Sequence, residues 1–167
     1  MTQMPSGLLT QFSALFSKHN VESILIGGWA ASIHGSMRST VDIDFVYSRS
    51  AENIEHLVEC LSPLNPYLRG APPGLPFKFD KQTVQLGLNF TLTTSLGDVD
   101  LLGEVTGGGT YEELMPYTEL IAIGDRQVRC VTLECLIQLK RAAGRPKDIE
   151  ALSELIALLE ERGGTAG

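Results

Sequence analysis

The stretch from Ile24 to Phe45, ILIGGWAASIHGSMRSTVDIDF, decides the fold. Ile24–Leu25–Ile26 is a short apolar run that stops at Gly27–Gly28, the pattern of a buried strand ending in a tight turn. Trp29 to Met37 reads as helical, because Ala30, Ala31 and Ile33 can pack closely, and Gly35 leaves the end of that helix open. Thr40 to Tyr47 then alternates. Val41, Ile43 and Phe45 point to one face, and Asp42 and Asp44 point to the other.

Each part of this stretch has a chemical use. Glycines at a strand-to-helix turn let backbone N–H groups approach a phosphate without a Cβ in the way. The start of the following helix favours the negative charge. Carboxylates two residues apart on a strand project from one face, at a spacing suited to shared divalent cations. Two such ions can stabilise the attacking and leaving oxygens of an in-line displacement at phosphorus.

Outward from this centre, the chain alternates between helical and strand patterns. Residues 6–19 read as a helix capped by Ser6, with Leu8, Leu9, Phe12, Leu15 and Phe16 on one stripe. Ser50 to Leu61 repeats the helical period through Ile54, Leu57, Val58 and Leu61. Five prolines between Pro63 and Pro76 mark an irregular loop. Val84, Leu86, Leu88, Phe90 and Leu92 alternate, which predicts a strand. Asp98–Leu102 predicts another, after a turn at Ser95–Gly97.

Gly107–Gly109 reads as a flexible hinge or linker. Glu119–Ile123 and Gln127–Val131 flank Gly124–Asp125–Arg126 as a hairpin. Thr132 can cap a helix through Ala143, and a second helix over Lys147 to Glu161 places Ile149, Leu152, Leu155, Ile156 and Leu159 on its apolar side. The expectation is one α+β domain over residues 1–162, a mixed β-sheet flanked by helices with a helical C-terminus, and a flexible tail over 163–167.

The ordered motifs resemble the nucleotidyltransferase superfamily typified by DNA polymerase β. Its signature is an apolar residue, Gly-Gly or Gly-Ser, 9–13 residues, then Asp-apolar-Asp/Glu-apolar. Here it reads Ile26–Gly27–Gly28, thirteen residues, and Asp42–Ile43–Asp44–Phe45. The resemblance implies a third carboxylate on a later strand. Asp98 and Asp100 share a face, and Asp100 matches better because apolar residues flank it on both sides.

The likeness extends to small bacterial nucleotidyltransferases, some related to toxins of toxin–antitoxin pairs. Their helical tails carry a Lys-rich segment similar to Leu139–Lys140–Arg141–Ala142–Ala143–Gly144–Arg145–Pro146–Lys147–Asp148. The resemblance covers roughly residues 21–150. It implies transfer of a nucleoside monophosphate from a nucleoside triphosphate, such as ATP, to an acceptor hydroxyl, with release of pyrophosphate. Asp42, Asp44 and Asp100 would be catalytic and would bind Mg²⁺ in a two-metal site. Gly27, Gly28, Arg38 and Lys140 would bind the nucleotide. The acceptor is open between tRNA, a protein hydroxyl and a small molecule, and an antitoxin protein is a possible partner. The second glycine replaces a serine common in relatives, so no hydroxyl grips phosphate there. The alternative is a catalytically silent nucleotide-binding or partner-binding module on the same fold.

Composition bounds these readings. The chain of 167 residues is 43% hydrophobic and 20% charged, ordinary values for a globular domain. A net charge of −7 does not attract polyphosphate backbones by its global field. Lys140, Arg141, Arg145 and Lys147 are four of only thirteen basic residues, and their concentration favours a role facing an anion over a solvated helix end. Arg38 either contacts phosphate or pairs with an acidic residue, and Asp148 is placed to cap the last helix.

Cys60, Cys130 and Cys135 form no CxxC pair and read as core residues. His34 reads as structural, and His19, His34 and His56 with no Cys/His cluster argue against zinc. Trp29 reads as core or pocket wall. Gly107–Gly109 lacks the Lys-Ser/Thr of a P-loop, and no Gly-x-Ser-x-Gly elbow supports a serine hydrolase. The start of the chain lacks signal-peptide features and no run reaches the length of a membrane span, so a cytoplasmic protein without membrane contact is expected.

Overall fold

The computed structural model describes residues 7–164. Ser6, the expected cap of the first helix, and residues 165–167 of the expected tail lie outside them. The elements follow as α1 (Leu8–Lys18), β1 (Ser23–Ile26), α2 (Gly27–Ile33), β2 (Ile43–Tyr47), α3 (Ala51–Leu61), β3 (Tyr67–Leu68), α4 (Lys81–Leu86), β4 (Asn89–Thr93), β5 (Asp98–Leu102), β6 (Glu104–Val105), β7 (Gly109–Thr110), α5 (Tyr111–Leu114), β8 (Thr118–Ile123), β9 (Arg126–Val131), α6 (Leu133–Ala143) and α7 (Pro146–Glu161).

Among the described residues, seven strands form one mixed sheet in the order β3-β4-β5-β2-β1-β9-β8, with β6 and β7 as a separate ribbon. The α+β class and the mixed sheet expected from sequence are met. β2 pairs antiparallel with β1 and parallel with β5, in a register that sets Asp44 opposite both Ile26 and Asp100. Thus the end of the apolar run and the two acidic strands meet at one point of the sheet. Around it, Leu9, Phe12 and Phe16 of α1, Ile54, Leu57 and Leu61 of α3, and Leu133, Leu136 and Leu139 of α6 join the strands in one core.

Several expectations needed correction. Strand β2 begins at Ile43, not Thr40, and Val41 is 82% exposed. Thr40 turns the backbone instead, its hydroxyl donating to the Asp42 carbonyl. The helix expected from Trp29 starts earlier, at Gly27, and ends at Ile33.

The alternation from Val84 to Leu92 is not one strand. Asp80 caps α4 by accepting from the Thr83 N–H, Gly87 ends it, and only Asn89–Thr93 is extended. Leu86 is accordingly 81% exposed. Gly107–Gly109 is a packed turn of the β6–β7 ribbon, where a Cβ on Gly107 would strike Ala142 of α6. A linker reading fails because close packing, not mobility, requires those glycines.

Ile149 is half-exposed rather than core, while Leu155 and Leu159 are buried. Gly163 and Gly164 close α7 by donating to Glu160 and Leu159 carbonyls, so they continue the helix end. No helix among the described residues is long and apolar enough to cross a membrane.

Candidate active site

Asp42, Asp44 and Asp100 each offer a carboxylate oxygen within 4.8 Å of the others. Local rules explain this convergence. Asp44 and Asp100 sit opposite each other on the parallel pair β2–β5, and their side chains leave the same face. Asp42 precedes β2 and joins them through the turn that Thr40 closes. Of the two acidic positions on β5, Asp100 faces the cluster, whereas Asp98 pairs with Arg69 at 3.4 Å.

Three carboxylates this close repel. Burial, then a hydrogen bond shared with Asp100 and the charges of Asp100 and Asp42, push the Asp44 carboxyl up to about 8. Asp100 Oδ1 is buried and lies 2.9 Å from an Arg69 terminal nitrogen, yet no aligned N–H reaches it. Asp44 is pushed toward its neutral form even with Arg69 beside the cluster, so the acidic charge gathered here is only partly offset by the protein's own cations. The all-oxygen donor set fits a hard divalent cation.

The triad opens onto a cleft of about 630 Å³. Gly27, Gly28, Arg38 and Lys140, the other residues predicted from sequence, line the same cleft, and so do Arg145 and Lys147. Gly27 has φ +73, and a Cβ there would land on Asp44 Oδ2. Gly28 faces Thr40, whose Oγ1 would lie 2.5 Å from a Cβ. Both glycines open α2, where backbone N–H groups lack helical acceptors.

The cations are held in place. Asp148, fully buried, accepts from Arg145 Nε at 2.6 Å and from Lys140 Nζ at 3.3 Å. Burial opposes its charge, but Arg145 and Lys140 outweigh it and keep the carboxyl below the usual range. Asp148 therefore caps α7, as expected, and also fixes two cations on the cleft wall. Arg38 pairs with Glu150 at 3.6 Å, an exposed contact worth little energy. Glu154 accepts from the Ser36 hydroxyl and the Met37 N–H, which tethers the preceding turn to α7.

The other end of the cleft differs. Asn89, Glu104, Val105 and Thr106 line it and also line an adjoining hollow of about 330 Å³ with Leu88. Among the described residues that hollow has no basic side chain. Sequence reasoning read Leu88 only as part of a strand, and missed Glu104, Val105, Thr106, Arg69 and Glu154 because none of them sits in a periodic or spaced motif.

The remaining sequence candidates are structural. His34 is buried, with Nε2 donating to the Val131 carbonyl and Nδ1 accepting from Arg162. The three cysteines are buried and unpaired, and Trp29 packs against the core.

No family model matches the chain, and no curated protein matches it. Solved structures do. The chain superposes on lincosamide antibiotic adenylyltransferase LnuA, in its lincomycin-bound form, with TM-score 0.60 and 16% identity, over 90% of this chain and 95% of that one. ANT(2″)-Ia in complex with adenylyl-2″-tobramycin gives TM-score 0.58 and 17% identity, over 93% and 90%. A Thermotoga maritima protein described as a nucleotidyltransferase gives 0.57 and 14%, over 90% and 91%. The chain has the nucleotidyltransferase fold that its ordered motifs imply.

Proposed function

We propose that the protein transfers a nucleoside monophosphate from a triphosphate such as ATP to a hydroxyl of a small-molecule acceptor, releasing pyrophosphate. The observation that carries this reading is the triad of Asp42, Asp44 and Asp100, gathered within 4.8 Å at a cleft that Lys140 and Arg145 also line. Asp42, Asp44 and Asp100 would hold Mg²⁺, which when bound neutralises the charge that develops at phosphorus.

The protein's own groups do the rest. Lys140 and Arg145, fixed by Asp148, face the triphosphate oxygens with charge-assisted donors. Backbone N–H groups of Gly27 and Gly28 bind phosphate too, and Arg38, which lines the same cleft, adds a further cation. Asp100 accepts the proton of the acceptor hydroxyl. The hydroxyl oxygen bonds to the α-phosphorus, and the bond from that phosphorus to the pyrophosphate oxygen breaks.

The two ends of the cleft support the acceptor class. A tRNA acceptor would bring phosphates toward Glu104 and the hollow beside it, which among the described residues offers no cation to neutralise them. A hydroxylated small molecule that is neutral or cationic, with an apolar face for Leu88 and Val105, suits that end. Small antibiotics are bound by the lincomycin-bound and tobramycin-adduct structures above, which favours the same class. Among the described residues, no feature of the cleft supports an antitoxin partner.

Thermal melts with Mg²⁺ and each nucleoside triphosphate, followed by pyrophosphate release in small-molecule and RNA fractions of lysate, test this. Melts that rise with release only in the small-molecule fraction are expected. Melts that rise without release in any fraction would favour a silent binding module. The Lys140→Ala variant should raise the triphosphate KM roughly 10-fold, the lower range for one charged hydrogen bond, with divalent-ion affinity unchanged. An unchanged KM would leave Lys140 only its ion pair with Asp148 and no part in binding the triphosphate.

A further inference from the structure

Arg69 follows β3 in the middle of the proline-rich segment, a region that carries no motif. Its backbone is fixed: the Arg69 N–H donates to the Thr91 carbonyl, and Leu75 N–H donates to Tyr67 Oη, which closes the loop beyond it. From there the side chain reaches past β4 to the acidic strands. In the register, Thr91 stands opposite Asp100 and Thr93 opposite Asp98.

Each of the three guanidinium nitrogens lies within ion-pair distance of a different carboxylate, although none of these contacts is aligned as a hydrogen bond. One terminal nitrogen lies 3.7 Å from Asp42, the other 2.9 Å from Asp100, and Nε lies 3.4 Å from Asp98. The nitrogen nearest Asp100 also donates to the Leu92 carbonyl at 2.7 Å, which ties the fork to the sheet. Asp42 and Asp100 line the cleft, whereas Arg69 and Asp98 stand outside its wall. Arg69 therefore touches the triad from behind and is not placed to touch a substrate.

Two simple roles make opposite demands on this geometry. A counter-charge needs only a cation near the acids, which a lysine supplies. A positioning group needs the planar fork, because only a fork can reach three carboxylates in fixed directions. One carboxylate per nitrogen, with the guanidinium anchored by its hydrogen bond to the Leu92 carbonyl, favours the second.

We propose that Arg69 is a positioning residue of the carboxylate triad. It holds the rear of Asp42 and Asp100, with Asp98 orienting the guanidinium, so that the forward oxygens of both carboxylates converge on the cation position. This rests on the nucleotidyltransferase reading above, which makes Asp42 and Asp100 metal ligands. Groups that orient metal ligands from behind control metal affinity strongly, by roughly 10–100-fold when removed.

The test is Mn²⁺ binding to the full chain, measured by calorimetry and by water-proton relaxation, for wild type, Arg69→Met, Arg69→Lys and Asp98→Asn. Both Arg69 variants are expected to bind Mn²⁺ roughly 10–100-fold more weakly, and Arg69→Lys should not be rescued by its retained charge. Asp98→Asn, which leaves the triad and the fork intact, should weaken binding by a smaller factor. It also keeps the idea testable if an Arg69 variant does not fold.

In steady state, Arg69→Lys should lower kcat with the triphosphate KM little changed. Wild-type affinity in Arg69→Lys, or tighter binding in Arg69→Met, would make Arg69 a counter-charge and overturn the proposal. For variants that do not fold, wild-type affinity in Asp98→Asn has the same force. A wild-type chain that binds no Mn²⁺ would instead overturn the functional reading on which the proposal stands.

Discussion

Replacing Asp44 with Asn is expected to abolish nucleotidyl transfer while making the metal-free protein more stable. The carboxyl of Asp44 is pushed up to about 8, first by burial and then by Asp100 and Asp42. A folded-state value above the unfolded one means that the native state holds a proton which the unfolded chain has released. Metal-free stability therefore falls as pH rises from about 4 to about 8, and levels off beyond.

Asparagine keeps the shape and removes the penalty. A relief on the order of 2 kcal/mol above pH 8, scaled for partial solvent screening, would raise the melting point by roughly 4–8 °C. Wild type should gain roughly 5–11 °C from Mg²⁺ and triphosphate at about 100 times their Kd, whereas the variant should gain under about 2 °C. Turnover should drop by at least roughly 10³-fold, as for loss of a main electrostatic group. A variant that keeps wild-type turnover rules out this mechanism. One that unfolds without metal would make Asp44 a structural residue.

Gly27→Ala should damage the same carboxylate from the other side. The backbone at Gly27 has φ +73, where a Cβ costs about 1–2 kcal/mol, and that Cβ would meet Asp44 Oδ2. We expect a loss of about 1–3 kcal/mol, a melting point lower by roughly 2–12 °C, and at least roughly 100-fold less turnover as Asp44 is displaced. Gly28→Ala is the comparison: its φ is ordinary, and the Thr40 side chain that it meets belongs to a turn that can shift. Its loss should be smaller. In Gly27→Ala/Asp44→Ala the clash with Asp44 Oδ2 disappears, so the double variant should be more stable than the sum of the two single effects. Additive effects would mean that the glycine matters only for backbone conformation.

The centre of the site was legible because its rules are local. Asp42–Ile43–Asp44 places two acids two residues apart, and strand geometry alone turns them to one side. Asp100 was separable from Asp98 by its apolar neighbours, and the register confirms the pairing with Asp44. The failures came where local pattern met a stronger local signal. Alternation from Val84 to Leu92 was overruled by the Asp80 cap and the Gly87 break. Alternation at Val41 was overruled by the turn closed by Thr40. Arg69 was illegible for a different reason: it follows a strand of two residues, and only the order of β3, β4 and β5 across the sheet brings it to the acids. The cleft end at Glu104 depends on the β6–β7 ribbon, whose glycines looked like a linker.

The central claim is that the α-phosphorus of a nucleoside triphosphate moves to a small acceptor under the control of the triad. It is tested most directly by supplying the protein, Mg²⁺ and a small-molecule lysate fraction with triphosphate labelled at either the α or the γ position. The account predicts α label in a low-mass adduct and γ label in pyrophosphate, with both signals lost in Asp44→Asn. γ label in the adduct, or an α-labelled adduct that persists in Asp44→Asn, would contradict it.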